Sequence, residues 1–357
     1  METVRGWTDR DLRRLDEIIV EGECRFKERQ PKSGALIREA QGVLAGGATS
    51  SWQIARPQMI WVSHGEGSRI YDADGGEYVD LHGGYGVGAV GHGHPRIVEA
   101  LTRRVPRGTH FAQPTEDAIA VADELARRFG LPLWRFSNSG TEAMMDAVHL
   151  MRAITVVHDH GAVLTFDEVK CGVTTAYGGA SGYLGVSPDM VCLARAIGGG
   201  VPCGAIGGTE EVMGRIADGT YDQVGTFNGN PLTMAASRAT LTEILTLEAY
   251  EHFDWLGKIM SDGVRDVVEE YDLAAYPLAF GAKGSVTFSG RRVRNYRDFL
   301  ELDDRFSQVH WLFQHNGGAF LPPWGKAEQW TLSVQHYEDD AWRFVDNFGA
   351  FARALRA

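Results

Sequence analysis

The spacing of hydrophobic positions changes along the 357-residue chain, and each change predicts a different element. Over residues 8–20, Leu12, Leu15, Ile18 and Ile19 fall on one stripe behind Thr8, which predicts an amphipathic helix with Thr8 as its N-cap. From Met59 to Leu81 short runs take over, Ile60-Trp61-Val62, Arg69-Ile70-Tyr71 and Tyr78-Val79-Asp80-Leu81, with Asp74-Gly75-Gly76 as a turn. This predicts a small antiparallel meander. Helical spacing returns at about 96–105 and 115–129, followed by a strand at 134–137, a helix at 140–159 and strands at 162–167, 189–194 and 203–208. Runs such as Ala162-Val163-Leu164 and Met190-Val191-Cys192-Leu193 lack alternation, as in parallel strands covered on both faces. A helix at 230–245, strand signals at 285–288, 318–321 and 330–334 and a last helix at 338–355 complete the chain.

The expected organisation is therefore an N-terminal helix, meander and glycine-rich loop over 1–95, a large α/β domain over 96–246, and a small α+β domain over 247–357. Trp324, Trp330, Trp342 and Phe344 are read as core of the last part.

Composition narrows the possibilities. The 44 glycines are about 12% of the chain against a usual share of roughly 7%, clustered near 83–93, 178–185 and 198–208. With 44% apolar and 23% charged residues this is neither collagen nor a disordered chain. A net charge of −12 without a basic block argues against nucleic acid or an anionic membrane as partner. Cys24, Cys171, Cys192 and Cys203 form no C-x-x-C pair, which points to a reducing compartment, the cytoplasm, and to neither a zinc site nor a disulfide framework. No apolar run reaches the ~18 residues of a membrane helix, and the charged first residues do not read as a signal peptide.

Two segments carry candidate chemistry. In Arg135-Phe136-Ser137-Asn138-Ser139-Gly140-Thr141-Glu142-Ala143 a strand enters a helix, and Ser139 and Glu142 have capping-box spacing. The Gly140 and Thr141 N–H groups then face outward at a helix N-terminus, beside two hydroxyls, and suit a phosphate. In Leu164-Thr165-Phe166-Asp167-Glu168-Val169, alternation puts Thr165, Asp167 and Val169 on one face, with Asp167 at the strand's end, where open α/β sheets bind ligands. Its partner is a protonated ring nitrogen, an arginine or backbone donors.

Taken in order, Asp72-x-Asp74-Gly75, Gly91-His92-Gly93-His94-Pro95, Asn138-Ser139-Gly140-Thr141-Glu142-Ala143, Phe166-Asp167-Glu168-Val169, Ala196-Ile197-Gly198-Gly199-Gly200-x-Pro202 and Gly225-Thr226-Phe227-Asn228-Gly229-Asn230-Pro231 resemble the class III aminotransferases. The nearest likeness is to the glutamate-1-semialdehyde 2,1-aminomutase branch, from about residue 35 to the end. The resemblance implies the α/β, pyridoxal 5'-phosphate (PLP) dependent transferase fold of type I, an amine, amino acid or keto acid substrate, and a homodimer with its active site at the interface. It implies that Ser139, Gly140 and Thr141 hold the cofactor phosphate, Asp167 the pyridine nitrogen, Val169 the ring face, and Thr226 the phosphate of the neighbouring subunit. Trp52, Gln53 and Tyr85 correspond to the substrate pocket, with Gln53 near the place of a carboxylate-binding arginine in aminomutases. His92 and His94 fall in a structural turn, and no metal is expected.

Two departures bear on activity. The Schiff-base lysine of the family precedes the Ala-Ile-Gly-Gly-Gly run, where this chain has Arg195, and a guanidinium cannot form that bond. Several tens of residues of the family pattern, including a ring-stacking tyrosine, have no counterpart near 154–157, which shortens the mostly parallel sheet at one edge. Arg195 is expected to pair with Asp167 or else to grip an anionic substrate, while alternation sends Lys170 to the opposite face. Asp167 and Arg195 are thus the candidate catalytic pair. Three readings follow: a homologue that binds PLP noncovalently and keeps residual or altered amine chemistry, an enzyme that has lost PLP and reuses the pocket, and a noncatalytic pseudoenzyme or partner subunit.

Overall fold

In the computed structural model, which describes residues 6–157, 163–323, 325–326 and 329–357, the first helix spans Asp9–Glu28. Thr8 caps it: the Asp11 N–H donates to Thr8 Oγ1 at 3.3 Å and the Thr8 N–H donates to the Asp11 carboxylate at 2.9 Å. Its apolar stripe, Leu15, Ile18 and Phe26, is buried and packs on a helix at Asp304–Asn316. That second helix is buried on most of its circumference, through Phe306, Val309, Trp311, Leu312 and His315, so it has no single apolar stripe for periodicity to reveal.

Both helices belong to a unit formed by the chain up to Gly83 together with Asp254–Ala357. The meander lies in this unit as strands Val62–Glu66, Arg69–Asp72 and Glu77–Asp80, antiparallel in sequence, with Ala319–Phe320 parallel to the last. Asp72 Oδ1 accepts from the Gly76 N–H at 2.6 Å and the Asp74 N–H at 3.0 Å, which holds the turn at Asp74-Gly75-Gly76. A second antiparallel sheet is made of Tyr276–Phe280, Lys283–Thr287 and Trp330–Thr331. Trp330 and Phe344 are core as expected, whereas Trp342 is 43% exposed and Trp324 lies outside the described residues.

The other unit, Gly84–Phe253, holds a four-stranded sheet in the order Leu133–Ser137, Gly204–Gly208, Met190–Ala194, Thr165–Asp167. Three strands share one direction and Gly204–Gly208 runs against both its neighbours, so among the described residues of this sheet the parallel neighbours are Thr165–Asp167 and Met190–Ala194. The reason is chain length. Nine residues, 195–203, separate Ala194 from Gly204, fewer than the ~10–12 needed for a crossover to a parallel strand. Residues 168–189 are enough for one, and they form it with short helices at Gly172–Thr175 and Gly179–Leu184.

The helix Gly140–Val157 covers this sheet, with Ala143, Ala147 and Leu150 buried against Met190, Cys192 and Ile206. The expected junction at His158-Asp159-His160-Gly161, and Ala162 at the start of the next strand, lie outside the described residues. No helix among the described residues is long and apolar enough to cross a membrane.

The sheet meets the helix entry at Gly204, where a Cβ would overlap the Ser139 carbonyl oxygen and lie 2.5 Å from Ser137 Oγ. Backbone cannot yield as a flexible side chain does. Gly204→Ala is therefore expected to cost about 1–3 kcal/mol, read as a lowered urea midpoint; an unchanged midpoint would show that the two segments are not held at this distance.

Candidate functional site

The site begins at the entry to the helix Gly140–Val157. Ser139 Oγ accepts from the Glu142 N–H at 3.2 Å, while Glu142 Oε2 accepts from the Asn138 N–H at 2.6 Å and Asn138 Nδ2 at 3.1 Å. The returning carboxylate thus reaches one residue ahead of the cap that the spacing predicts. Gly140 and Thr141 N–H groups are left without a hydrogen-bond partner among the described residues. They form the positive end of an 18-residue helix and are ready to receive an anion.

These residues line a cavity of about 350 Å³, together with Val87, Asn138, Val169, Ala194, Arg195 and Gly200–Cys203. It is near the low end of the ~300–1,000 Å³ usual for small-molecule sites. Its floor is set by a close approach: a Cβ on Gly140 would come 2.5 Å from Val169 Cγ1 and 3.3 Å from Ala194 Cβ. Only glycine lets the helix terminus, the Val169 wall and the end of the strand Met190–Ala194 meet. The phosphate donors and the apolar wall fit a phosphate-bearing aromatic ring. Cys203 also lines the cavity, but burial pushes its thiol up to about 12, so it offers no thiolate at neutral pH.

Arg195 follows the strand end with φ 58°, a left-handed conformation that costs a non-glycine residue about 1–2 kcal/mol. Its Nη1 donates to the carbonyl oxygen of Tyr85, itself at φ 58°. The expected ion pair with Asp167 is not formed. Register explains why: Asp167 lies beside Cys192, so Arg195 stands three residues further on, beyond the strand and turned by the left-handed step. Among the described residues no carboxylate is in ion-pair range of Arg195.

Asp167 is exposed, with Oδ1 accepting from the Val169 N–H at 3.0 Å. The buried acid of this segment is Glu168, 1% exposed, whose carboxylate accepts from the Ala180 N–H at 2.6 Å, the Ser181 N–H at 2.8 Å and the Ser181 hydroxyl. Alternation had the signal, since it puts 168 on the face opposite 167. It fails at Lys170, because the strand ends at Asp167 and 169–170 form a turn. Lys170 is exposed, and its pKa is drawn down by partial burial first and by the Arg195 guanidinium second, so the two cations feel each other.

Thr226 is exposed in a loop that its own chain anchors from both sides. Gln223 Nε2 donates to Asp146 Oδ2 and to the Phe136 carbonyl, both at 3.0 Å, and Asn138 Nδ2 donates to Asn228 Oδ1 at 3.1 Å. Thr226, Asp167 and Tyr85 do not line the cavity. In the other unit, Trp52 is 66% exposed and Gln53 Oε1 accepts from the Thr49 N–H, the Thr49 hydroxyl and the Ser50 N–H, closing a turn. His94 Nδ1 accepts from the Arg96 N–H at 3.2 Å and caps the next helix.

Known proteins match this chain as follows. The family described as aminotransferase class-III matches residues 52–159 and 150–301. Glutamate-1-semialdehyde 2,1-aminomutase 2 of Halalkalibacterium halodurans is 28% identical over 409 aligned positions, covering 87% of this chain and 95% of the relative. The crystal structure of a glutamate-1-semialdehyde aminomutase from Pseudomonas aeruginosa PAO1 superposes with a TM-score of 0.89 at 23% identity, over 96% of this chain and 99% of that one. A lysine-to-alanine variant of a glutamate-1-semialdehyde aminomutase from the same organism, in complex with PMP, gives the same values.

Two substitutions test this geometry. Ser139→Ala is expected to lower stability by about 1 kcal/mol through loss of the cap, and Glu168→Ala by about 3 kcal/mol, because three buried donors lose a charged acceptor. Chemical denaturation reads both. Equal effects would mean that Glu168 is not the anchor of the helix Gly179–Leu184.

Proposed function

The chain belongs to the aminotransferase class-III family, and on that premise we propose that it holds PLP or its amine form noncovalently, without sustaining ordinary transamination. Its fold is the α/β PLP-dependent transferase fold of type I. The single observation that supports the reading is the Gly140 and Thr141 N–H groups, unpartnered among the described residues, in one cavity with Arg195, which we read as standing at the position of the family's lysine. When bound, PLP supplies the electron sink for amine chemistry. Ser139, Gly140 and Thr141 would hold its phosphate and Val169 its ring face. Asp167, steered by the Val169 N–H, would offer its free oxygen to the pyridine nitrogen. Thr226, outside its own chain's cavity, suits a reach to the phosphate of the neighbouring subunit of a homodimer, and Trp52, Gln53 and Tyr85 would contact an amine, amino acid or keto acid.

The absence of a covalent link need not empty such a site: a neighbour with a lysine replaced by alanine was solved with PMP. Loss of an internal segment is supported by the alignments. About 311 residues of this chain, 87% of 357, span 409 aligned positions in the relative, so about a hundred positions have no residue here. The family match likewise falls into two stretches meeting at 150–159. Four unbonded cysteines fit a cytoplasmic setting.

Equilibrium dialysis with PLP and PMP tests the reading. The expected result is reversible, saturable binding of both, weakened about tenfold or more by Gly140→Ala, with no transaminase turnover. Turnover by the unaltered protein, or no binding of either form, would overturn it. Arg195→Lys is expected to leave turnover absent because the ring-stacking segment is missing; turnover restored by that one change would show that the segment is dispensable.

A further inference from the structure

Arg195 is held in a strained conformation, lines the cavity, and has no carboxylate to neutralise it among the described residues. Strain of this kind persists where the surroundings over-determine it, and it gathers at ligand sites. Here the surroundings are the following turn, in which Gly199 and Gly200 are also left-handed, at φ 58° and 95°. The side chain is therefore aimed by the backbone and not by a salt bridge. One nitrogen, Nη1, is taken by the Tyr85 carbonyl, which fixes the plane of the fork and leaves its other donors for a ligand. Lys170 adds a second cation that feels the guanidinium and is in no ion pair among the described residues. A positive field so placed, in a chain of net charge −12, is an exception that calls for an anion.

The geometry points to Arg195 as an anion receptor, so that the cavity takes a small molecule with a phosphate monoester at one end and a carboxylate at the other. This rests on the reading of Ser139–Thr141 as a phosphate cup and goes beyond it in naming the second contact. A planar fork matches a carboxylate through two parallel N–H donors, which an ammonium in the same place would not do. The cavity of about 350 Å³ suits a ligand of a few carbons or one ring.

Titration calorimetry at low salt with 3-phosphoglycerate and glycerol 3-phosphate, which differ by one carboxylate, tests the assignment on the full chain. The carboxylate is expected to tighten binding by about tenfold or more in the unaltered protein. It should give no advantage in Arg195→Met and an intermediate one in Arg195→Lys. Equal affinities in the unaltered protein, or a preference that survives in Arg195→Met, would overturn the assignment. If Arg195→Met does not fold by near-UV circular dichroism, the ligand pair and Arg195→Lys decide alone. PMP measured in parallel separates the two readings: PMP binding without carboxylate discrimination refutes the receptor only. Discrimination without PMP binding supports the receptor while refuting the cofactor reading, and binding of no phosphate compound refutes both.

Discussion

The site depends on one close approach, the seating of Gly140 against Val169 and Ala194 with no room for a Cβ between them. This contact brings a helix terminus, an apolar wall and the end of a central strand to one place. Because the helix begins there, its first N–H groups open into the cavity and not into protein. Because the strand ends there, residue 195 follows at the cavity's edge whatever its side chain. Glu168 fixes the same corner from behind by holding the N-terminus of the helix Gly179–Leu184 with its buried carboxylate.

What changes the chemistry is the residue that this scaffold presents. If Arg195 stands where the family has its lysine, as proposed, its guanidinium would bind an anion and form no covalent bond to a carbonyl. The left-handed turn and the Tyr85 carbonyl hold it in place, and no acid among the described residues quenches its charge. On the proposed reading, a class III aminotransferase scaffold would hold a phosphate at Ser139–Thr141 and an anion at Arg195 without a covalent anchor.

The helix cap at Ser139 was legible in the sequence because capping is local: Ser139, Gly140 and Glu142 lie within one turn and carry their own geometry. The segment 203–208 was legible as a strand, and the turn at Asp74-Gly75-Gly76 as a turn, for similar reasons. The Arg195 to Asp167 pair was misjudged because it depends on strand register and on the sign of one φ angle, neither of which residue identity reveals. That Asp167 is exposed and Glu168 buried was not legible, since alternation tells which residues share a face but not which face is covered. The helix Asp304–Asn316 stayed hidden because burial on most sides erases the stripe that betrays a helix.

The most direct test of a cofactor site without a covalent anchor is intact mass after incubation with PLP and reduction with borohydride, alongside the absorption spectrum of the same sample. The account predicts a spectrum showing bound PLP and a protein mass unchanged by reduction. A mass raised by one reduced PLP, with the adduct mapped to Lys170 or to any other lysine, would contradict it.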